Sequence, residues 1–334
     1  MNKRATYIYL ILVLFLAACG GGGGASSVSP IPVSQVTELL ISNSRDQNGL
    51  NGVVTTIDSS GQLVRSANIN TSNGGIIADS VHHELFGVDD LGQQVKTFSL
   101  TATGNVFPIR TIVSESLPGY GGDILYDPSL DQIIQIQAVS RYGGIQLAYY
   151  PRTSSGTQSP EKIRTLTLQN YRSACLDSKN SELSFAVAQY AGQGPFPAHE
   201  ASINVFSAVS GDASIRAISG DLTQLTTPSA IAIDNIHDEL LVADSASNSI
   251  LVFGRTANGN VSPIRSIAGS ATNLNQPSAI AFESIKDLIY VTNYGGNSVT
   301  AYPRSGNGNM SPIKSFGSPQ LSLTNPTSIA LSIH

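Results

Sequence analysis

Five acidic side chains recur along the chain at nearly constant spacing, and carboxylates in register could form a ring of metal ligands or acid–base pairs. Successive acids lie 48, 50, 57 and 49 residues apart: Asp79, Asp127, Asp177, Asp234 and Glu283. Each one ends a short apolar run and is followed by polar residues. An aspartate in that position caps a turn by bonding to the backbone just after it. We therefore predict that these acids hold turns.

The other residues able to do chemistry show no catalytic grouping. The five histidines fall mainly in turns, without a repeated spacing for two metal ligands: His82, His83, His199, His237 and His334. No serine elbow motif is present. Cys175 lies inside the apolar run "SACLD" and is expected to be a buried small hydrophobe. The sequence therefore predicts no catalytic residue and no cofactor.

Composition limits the classes of partner. Charged residues make up only 12% of the chain, and the formal net charge is −5. Such a chain has no basic field to attract nucleic acid, so a nucleic-acid partner is not expected. Abundant small polar residues and glycine are typical of many short strands joined by turns.

The N-terminal residues specify a cellular address. Residues 1–18 begin with Lys3 and Arg4 and continue with a short apolar stretch, which is typical of a secretory signal peptide. The segment ends in "LAAC", which resembles a bacterial lipobox, and that resemblance implies lipidation of Cys19. Residues 19–35 are rich in glycine and serine and read as a flexible tether. The alternative is an ordinary signal or short anchor with an incidental cysteine.

These features predict a lipid-anchored protein of the bacterial cell envelope, with the membrane as one partner. Gly20, rather than an aspartate, follows the cysteine. In a Gram-negative host, the lipobox resemblance then implies the outer membrane.

Residues 36–334 are built from a repeat of about 49 residues, and each recurrent acid marks the same place in it. One unit reads as four short strands at 229–233, 240–243, 250–254 and 263–268, which are rich in Ile, Leu and Val and separated by turn residues. Four-stranded units repeated side by side predict an all-β propeller. The N-terminal region supplies three strands and "PTSIALSIH" a fourth. We therefore expect six blades, with the two chain ends sharing one.

Two stretches carry a family resemblance: "ELLVADSASNSILVF" from Glu239 and "LIYVTNYGGNSVTAY" from Leu288. Both resemble NHL and YVTN-type propeller repeats. The resemblance implies a six-bladed β-propeller and leaves the activity open, because propellers host binding, scaffolding and catalysis alike.

The outermost strand of several units begins with proline followed two residues later by a basic side chain, as at Arg110, Arg265 and Lys314. Proline lacks an N–H and suits an unpaired sheet edge. We expect the basic residues to keep that edge soluble.

The candidate ligand site lies on the face that carries the loops before the first strand and between the second and third strands. Its residues are Tyr120, Arg141, Tyr142, Tyr190, Phe196, His199 and Tyr294. Three of them belong to an insert that explains the one long spacing of 57 residues. Aromatic and arginine side chains at a concave mouth suit a protein or a glycan. The sequence favours a non-catalytic binding or scaffold module.

The alternative is a metal-dependent lactonase, hydrolase or lyase. Six-bladed lactonases of the gluconolactonase type hold a divalent metal at the top of the central channel. The matching positions in the first strands are Gly75, Asp123, Ser173, Ala230, Ala279 and Ser328. Only Asp123 could bind a hard cation, so the alternative depends on that one carboxylate.

Overall fold

The computed structural model describes residues 37–43, 52–69, 75–89, 93–114, 120–139, 144–189, 200–317 and 321–333. For Tyr120 it describes the backbone. The described residues belong to one compact unit. They form an all-β propeller of six blades, as predicted. None of the described helices is long and apolar enough to cross a bilayer.

Each blade is an antiparallel sheet whose first strand lies innermost and whose fourth lies outermost. The first half of the chain provides β1 (Thr37–Asn43), β2 (Val53–Asp58), β3 (Leu63–Asn68), β4 (Ile76–Asp79), β5 (Glu84–Val88), β6 (Gln94–Ser99), β7 (Gly104–Asn105), β8 (Arg110–Ser114), β9 (Tyr120–Asp127), β10 (Gln132–Ala138), β11 (Ile145–Pro151), β12 (Gly156–Gln158) and β13 (Lys162–Leu166).

The second half continues the pattern with one short 3₁₀ helix, η1, between the fourth and fifth blades. Its elements are β14 (Tyr171–Asp177), β15 (Glu182–Val187), β16 (Ser202–Ser207), β17 (Arg216–Ser219), η1 (Asp221–Thr223), β18 (Pro228–Asp234), β19 (Glu239–Asp244), β20 (Ser249–Gly254), β21 (Arg265–Ala268), β22 (Pro277–Glu283), β23 (Leu288–Asn293), β24 (Ser298–Pro303), β25 (Lys314–Phe316) and β26 (Pro326–Ile333).

The two ends of the chain close the ring, as predicted. Strand β26 pairs with β1 over the whole of β1, with Leu40 opposite Ala330 and Ser42 opposite Ser328. Blade 1 therefore has the inner-to-outer order β26, β1, β2, β3, and blades 2 to 6 follow in chain order. The shared blade pairs the edge of the last strand with the first, so neither end of the chain leaves an open sheet edge in the ring.

The hydrophobic core lies between the blades. Six clusters of buried side chains occupy the six interfaces among the described residues, including the one that closes the ring between blades 6 and 1. In that closing cluster Leu39, Ile41 and Ile329 pack against Tyr290 and Val299. The middle strands alternate Ile, Leu and Val toward both neighbours, so both faces of each sheet are covered. No single blade could bury its faces alone.

The outer edges are covered in a way the sequence did not predict. The loop between the third and fourth strands reaches back to the preceding blade. There β7 pairs in parallel with β3, and β12 pairs in parallel with β8. Single bridges Ile218–Gly259 and Ile267–Gly308 repeat the arrangement in later blades. The prolines also lie outside the strand, because β21 begins at Arg265 and not at Pro263.

The predicted role of the basic residues was wrong, because they join blades instead of solubilising an edge. Arg265 donates to both carboxylate oxygens of Glu239 in its own blade, at 2.7 and 2.6 Å. It also donates to the backbone oxygen of Arg304 in the next blade, whose guanidinium contacts Glu239 as well. We call each such set of one glutamate and two arginines a clamp. The other clamps are Glu84–Arg110–Arg152 and Glu182–Arg216–Arg255.

Candidate functional site

The ring encloses a cavity of about 1120 Å³, lined by the innermost strands of all six blades. Its wall is mostly small or aliphatic, with Ile76, Ala174, Ala230 and Ile329 as examples. A cavity of this size and polarity is in the range of small-molecule sites. Two charged side chains are among the described lining residues, Asp123 and Arg172.

The cavity lies between two chemically different faces. We call the end where the inner strands begin the loop face. There the amide of Tyr294, between β23 and β24, donates to the carbonyl of Gln276, just before β22, at 3.0 Å. The same contact joins Ser245 to Thr227 in blade 5. Loops before the first strand and loops between the second and third strands therefore share one face, as the sequence analysis expected.

We call the opposite end the turn face, where the inner strands end in residues 80–83, 128–131, 178–181, 235–238 and 284–287. The predicted capping by acids is confirmed for the four aspartates. Asp234, for example, accepts from the amides of Ile236 and His237 at 2.9 and 3.0 Å, and matching bonds reach Asp79, Asp127 and Asp177.

Two side chains on the turn face depart from simple capping. Glu283 accepts a hydrogen bond from the hydroxyl of Thr37 at 2.9 Å, across the ring closure. His237 lies with its Nδ1 2.8 Å from Asp234, so this histidine belongs to the turn itself. These groups hold the fold together at the turn face, and the candidate ligand site remains on the loop face.

Asp123 lies on the inner strand of blade 3 and bridges toward both neighbouring blades. Its Oδ1 accepts from the amide of Ile124 at 2.9 Å, and its Oδ2 accepts from the amide of Ala174 in blade 4 at 3.3 Å. On the other side, a Cβ at Gly75 of blade 2 would lie only 2.2 Å from Oδ1. Glycine at position 75 therefore leaves the space that the carboxylate occupies.

The environment of Asp123 favours the protonated form. The group is partly accessible from the cavity but is otherwise enclosed by protein. Burial raises its pKa to about 6, although the two backbone N–H bonds oppose that shift. In the described residues, no three or more His, Cys, Asp or Glu side chains come together as metal ligands. With both oxygens already accepting from backbone, Asp123 acts as a joint between inner strands.

Cys175 also lines the cavity. Burial raises the pKa of its thiol to about 12, and the negative charge of Asp177 adds to the shift. The group is therefore a thiol at neutral pH, which fits the expectation of an unreactive residue.

Arg172 is the functional candidate that the sequence analysis missed. It is exposed at the start of β14, on the loop face, and forms no ion pair with any residue that the structure describes. Its counterparts in the repeat are Gly122, Ser229, Ser278 and Thr327. Ser229 and Ser278 use their hydroxyls to bond the backbone of the next blade, at Pro277 and Pro326, each at 2.6 Å. A lone charged residue in a column of small ones was the signal available.

Tyr171 stands beside Arg172 at the mouth of the cavity. Its ring packs edge-to-face on Phe185, with centroids 6.3 Å apart. Burial, followed by the charge of Asp123, raises the pKa of its hydroxyl above the usual range. Tyr171 is therefore a fixed, neutral aromatic group next to a free guanidinium.

The residues predicted from the sequence fall into three groups. Tyr294 is 40% exposed on the loop face, and its backbone oxygen accepts from the side chain of Asn325 in the adjoining loop at 3.0 Å. Tyr120 begins β9 at the loop face, with its backbone opposite Ala138. The others lie outside the described residues: Cys19, Arg141, Tyr142, Tyr190, Phe196 and His199.

Solved structures share this fold at low sequence identity. A chain of the nidogen/laminin complex matches 89% of this protein and 98% of its own length, with a TM-score of 0.61 and 16% identity. A protein of unknown function from Bacteroides caccae covers the same shares with a TM-score of 0.60 and 10% identity. The WD40 propeller domain of Doa1 matches 84% of this chain and 79% of its own, with a TM-score of 0.52 and 12% identity. No protein-family model and no curated protein sequence matches the chain.

Proposed function

We propose that this protein is a lipid-anchored β-propeller of the bacterial cell envelope, built from NHL- or YVTN-type repeats, whose loop face binds a protein or a glycan without catalysing a reaction. The observation that carries the binding role is Arg172. It is an exposed guanidinium at the mouth of a cavity, in a column where other blades carry small residues that join the ring.

The chemistry at the mouth suits recognition. Arginine offers five N–H donors in a planar fork, which matches carboxylates and other planar acceptors. Tyr171 and Tyr294 add aromatic surface on the same face, one fixed by packing and one exposed. Arginine and tyrosine are the residue types that dominate binding hot spots, because they combine apolar area with hydrogen bonding. A partner that presents an acidic or hydroxyl-rich group would engage both kinds of contact.

Two further facts support the proposal. A similar propeller is part of a complex between nidogen and laminin, so this fold is used to hold another protein there. The lipid anchor is supported by the N-terminal sequence, in which a basic start, an apolar stretch and "LAAC" precede a glycine-rich segment. Two or more acyl chains give stable membrane attachment.

The test is capture of partners by crosslinking in intact envelopes, with the full-length protein and two matched variants. Arg172→Ser removes the charge and installs the residue found in neighbouring blades. Lys179→Ser removes one positive charge from the turn face, where Lys179 bonds only the carbonyl of Asn235 among the described residues. We expect capture to fall at least about tenfold in Arg172→Ser and to persist in Lys179→Ser.

Equal capture by both variants would refute the loop-face site. Mass spectrometry of the N-terminal peptide tests the anchor separately, because lipidation predicts acyl chains on Cys19. An unmodified Cys19 in membrane-derived protein would refute the anchor and leave the loop-face result standing.

A further inference from the structure

The exposed apolar side chains are distributed unequally between the two faces. Among the described residues, fifteen large hydrophobic side chains are exposed. Tyr294 and Leu222 lie toward the loop face, and Ile163 lies within the outer strand of blade 3. The remaining twelve lie at the turn face or its rim: Leu63, Val64, Val81, Phe107, Ile109, Leu130, Val209, Ile215, Ile236, Ile264, Ile285 and Ile313.

An inner set of these residues surrounds the axis. Val81, Leu130, Ile236 and Ile285 occupy the tight turns of four blades and are 79%, 65%, 65% and 46% exposed. The turn geometry does not demand them, because the backbone amides and the capping acids make the turn. Lys179 and Asn180 fill the same turn in blade 4 with polar side chains. Soluble surfaces seldom repeat large aliphatic residues at such positions unless something covers them.

An outer set surrounds the rim of the same face. In five blades an aliphatic residue stands directly before the basic residue that opens the fourth strand: Val64, Ile109, Ile215, Ile264 and Ile313. The fourth strand starts at the turn face, because the residue after each third strand bonds to the tight turn. Arg255, for example, donates its amide to the carbonyl of Asp238 at 2.8 Å.

The chain also enters the fold on this face. Thr37 pairs with Ile333 at the end of the inner strand and bonds Glu283, the acid that opens the turn of blade 6. Eighteen residues separate Cys19 from Thr37, and the first of them are glycines. A flexible segment of that length spans roughly 21–25 Å root-mean-square. An anchor at Cys19 therefore holds the turn face near the bilayer and directs the loop face away from it.

We propose that the turn face seats on the surface of the lipid bilayer, with Val81, Leu130, Ile236 and Ile285 entering the interface between headgroups and acyl chains. This inference rests on the proposed lipid anchor, because the anchor brings the bilayer to this face. The face does not depend on anionic lipid. Its exposed carboxylates Asp131, Asp238 and Asp287 are each bonded to an arginine of the same blade. Apolar side chains on tight turns reach only the shallow interfacial layer.

The natural chain contains no tryptophan, so one introduced tryptophan is a unique fluorescent reporter. The full-length lipidated protein is reconstituted in phosphatidylcholine vesicles that carry brominated acyl chains, which quench tryptophan on contact. Reporters on the turn face are Ile236→Trp and Leu130→Trp. Matched reporters elsewhere are Tyr294→Trp on the loop face and Ile163→Trp on the outer strand, and all four positions are exposed.

The proposal expects quenching of the two turn-face reporters to exceed that of both matched reporters at least about threefold. Adding Ile285→Ser with Val81→Ser to the Leu130→Trp chain should reduce that quenching. Adding Ile163→Ser with Leu222→Ser should leave it unchanged. Anionic lipid should alter the pattern little, because the contact is apolar.

Vesicle flotation separates failure of this inference from failure of the anchor. Protein that floats with vesicles while all four reporters are quenched equally would overturn the inference, whatever else covers the face. Protein that does not float, with Cys19 unmodified, would overturn the anchor. In that case the same reporters, mixed with excess vesicles, still decide the matter, and stronger quenching of Ile236→Trp than of Tyr294→Trp would support the turn-face contact.

Discussion

Glu239 and Arg304 belong to neighbouring blades, and their side chains meet at 3.3 Å while Arg265 holds the same carboxylate from the other side. The pair shows how the sequence of one blade anticipates the next. Where a blade begins its second strand with glutamate, its fourth strand opens with arginine: Glu38–Arg65, Glu84–Arg110, Glu182–Arg216 and Glu239–Arg265. Where that glutamate is replaced, by Gln132 or Leu288, the basic residue is lysine.

The lysines keep one half of the same contact. Lys162 donates to the carbonyl of Val209, and Lys314 to the carbonyl of Ser59, each in the following blade. Lysine has no planar fork for a carboxylate, but it still reaches a backbone oxygen. The basic column thus joins each blade to the next around the whole ring, and the carboxylate strengthens four of the six joints.

Removing the carboxylate of one clamp should destabilise the ring. In Glu239→Gln, two half-buried arginines lose their shared partner, and we expect the free energy of unfolding to fall by about 2–4 kcal/mol. Chemical denaturation measures it. Glu161→Gln is the matched control, because Glu161 is exposed on the outer strand of blade 3; its effect should stay within about 0.5 kcal/mol. Similar losses in the two variants would contradict the clamp.

The clamps also predict how stability depends on pH. Burial works to raise the pKa of Glu239, but the hydrogen bonds and charges of Arg265 and Arg304 outweigh it and lower the pKa below 4.5. Arg216 lowers the pKa of Glu182 in the same way, and Arg110 and Arg152 lower that of Glu84 against burial. A lowered pKa contributes stability that is present above about pH 4.5 and is lost as pH falls through the folded-state value.

The thermal midpoint should therefore be level near neutrality and fall below about pH 4.5. The Glu239→Gln variant should lose less between pH 5 and pH 3 than the wild-type protein does, because one titrating clamp is absent. Parallel curves for the two proteins would show that the clamp does not contribute to acid unfolding.

Asp123 predicts the opposite pH dependence. Its folded-state pKa is raised to about 6 from an ordinary 3.8. Its contribution to stability is therefore present below about pH 3.8 and is lost as pH rises through 6. Relative to wild type, Asp123→Asn should gain about 1–3 kcal/mol in unfolding free energy between pH 4 and pH 8. Asp221→Asn, at an exposed position in η1, should show no such trend, and a flat difference for Asp123→Asn would contradict the assignment.

The repeat made the fold predictable, because the spacing of Asp79, Asp127, Asp177 and Asp234 locates each inner strand without any knowledge of contacts. The register of blade 3 was less accessible. Aligning "SPEKIRTL" with "SPIRSI" places Arg164 opposite Arg265, but the structure pairs Lys162 with Tyr149 in the place where Arg265 pairs with Val252. Arg164 points inward and bonds the backbone of blade 4 at Ser207 and Ala208.

The clamps and Arg172 were missed for different physical reasons. A clamp joins residues 26 and 65 positions apart in two blades, and such a contact follows from strand register rather than from local pattern. Arg172 was visible in the sequence as the one charged residue in its column. It was passed over because the search began from acids and aromatic loops, whereas the structure places Arg172 at the mouth of the cavity.

Both faces discussed above exist because the two ends of the chain close the ring, and a disulfide across β26 and β1 tests that closure most directly. In a chain with Cys19 and Cys175 replaced by serine, Ser42→Cys and Ser328→Cys face each other across the two strands. We predict that they crosslink on mild oxidation and that the bond adds up to about 5 kcal/mol of stability, because it closes a very long loop. The pair Ser42→Cys with Ser332→Cys, four residues out of register, should stay reduced. Crosslinking of the mismatched pair, or of neither pair, would contradict the closed ring.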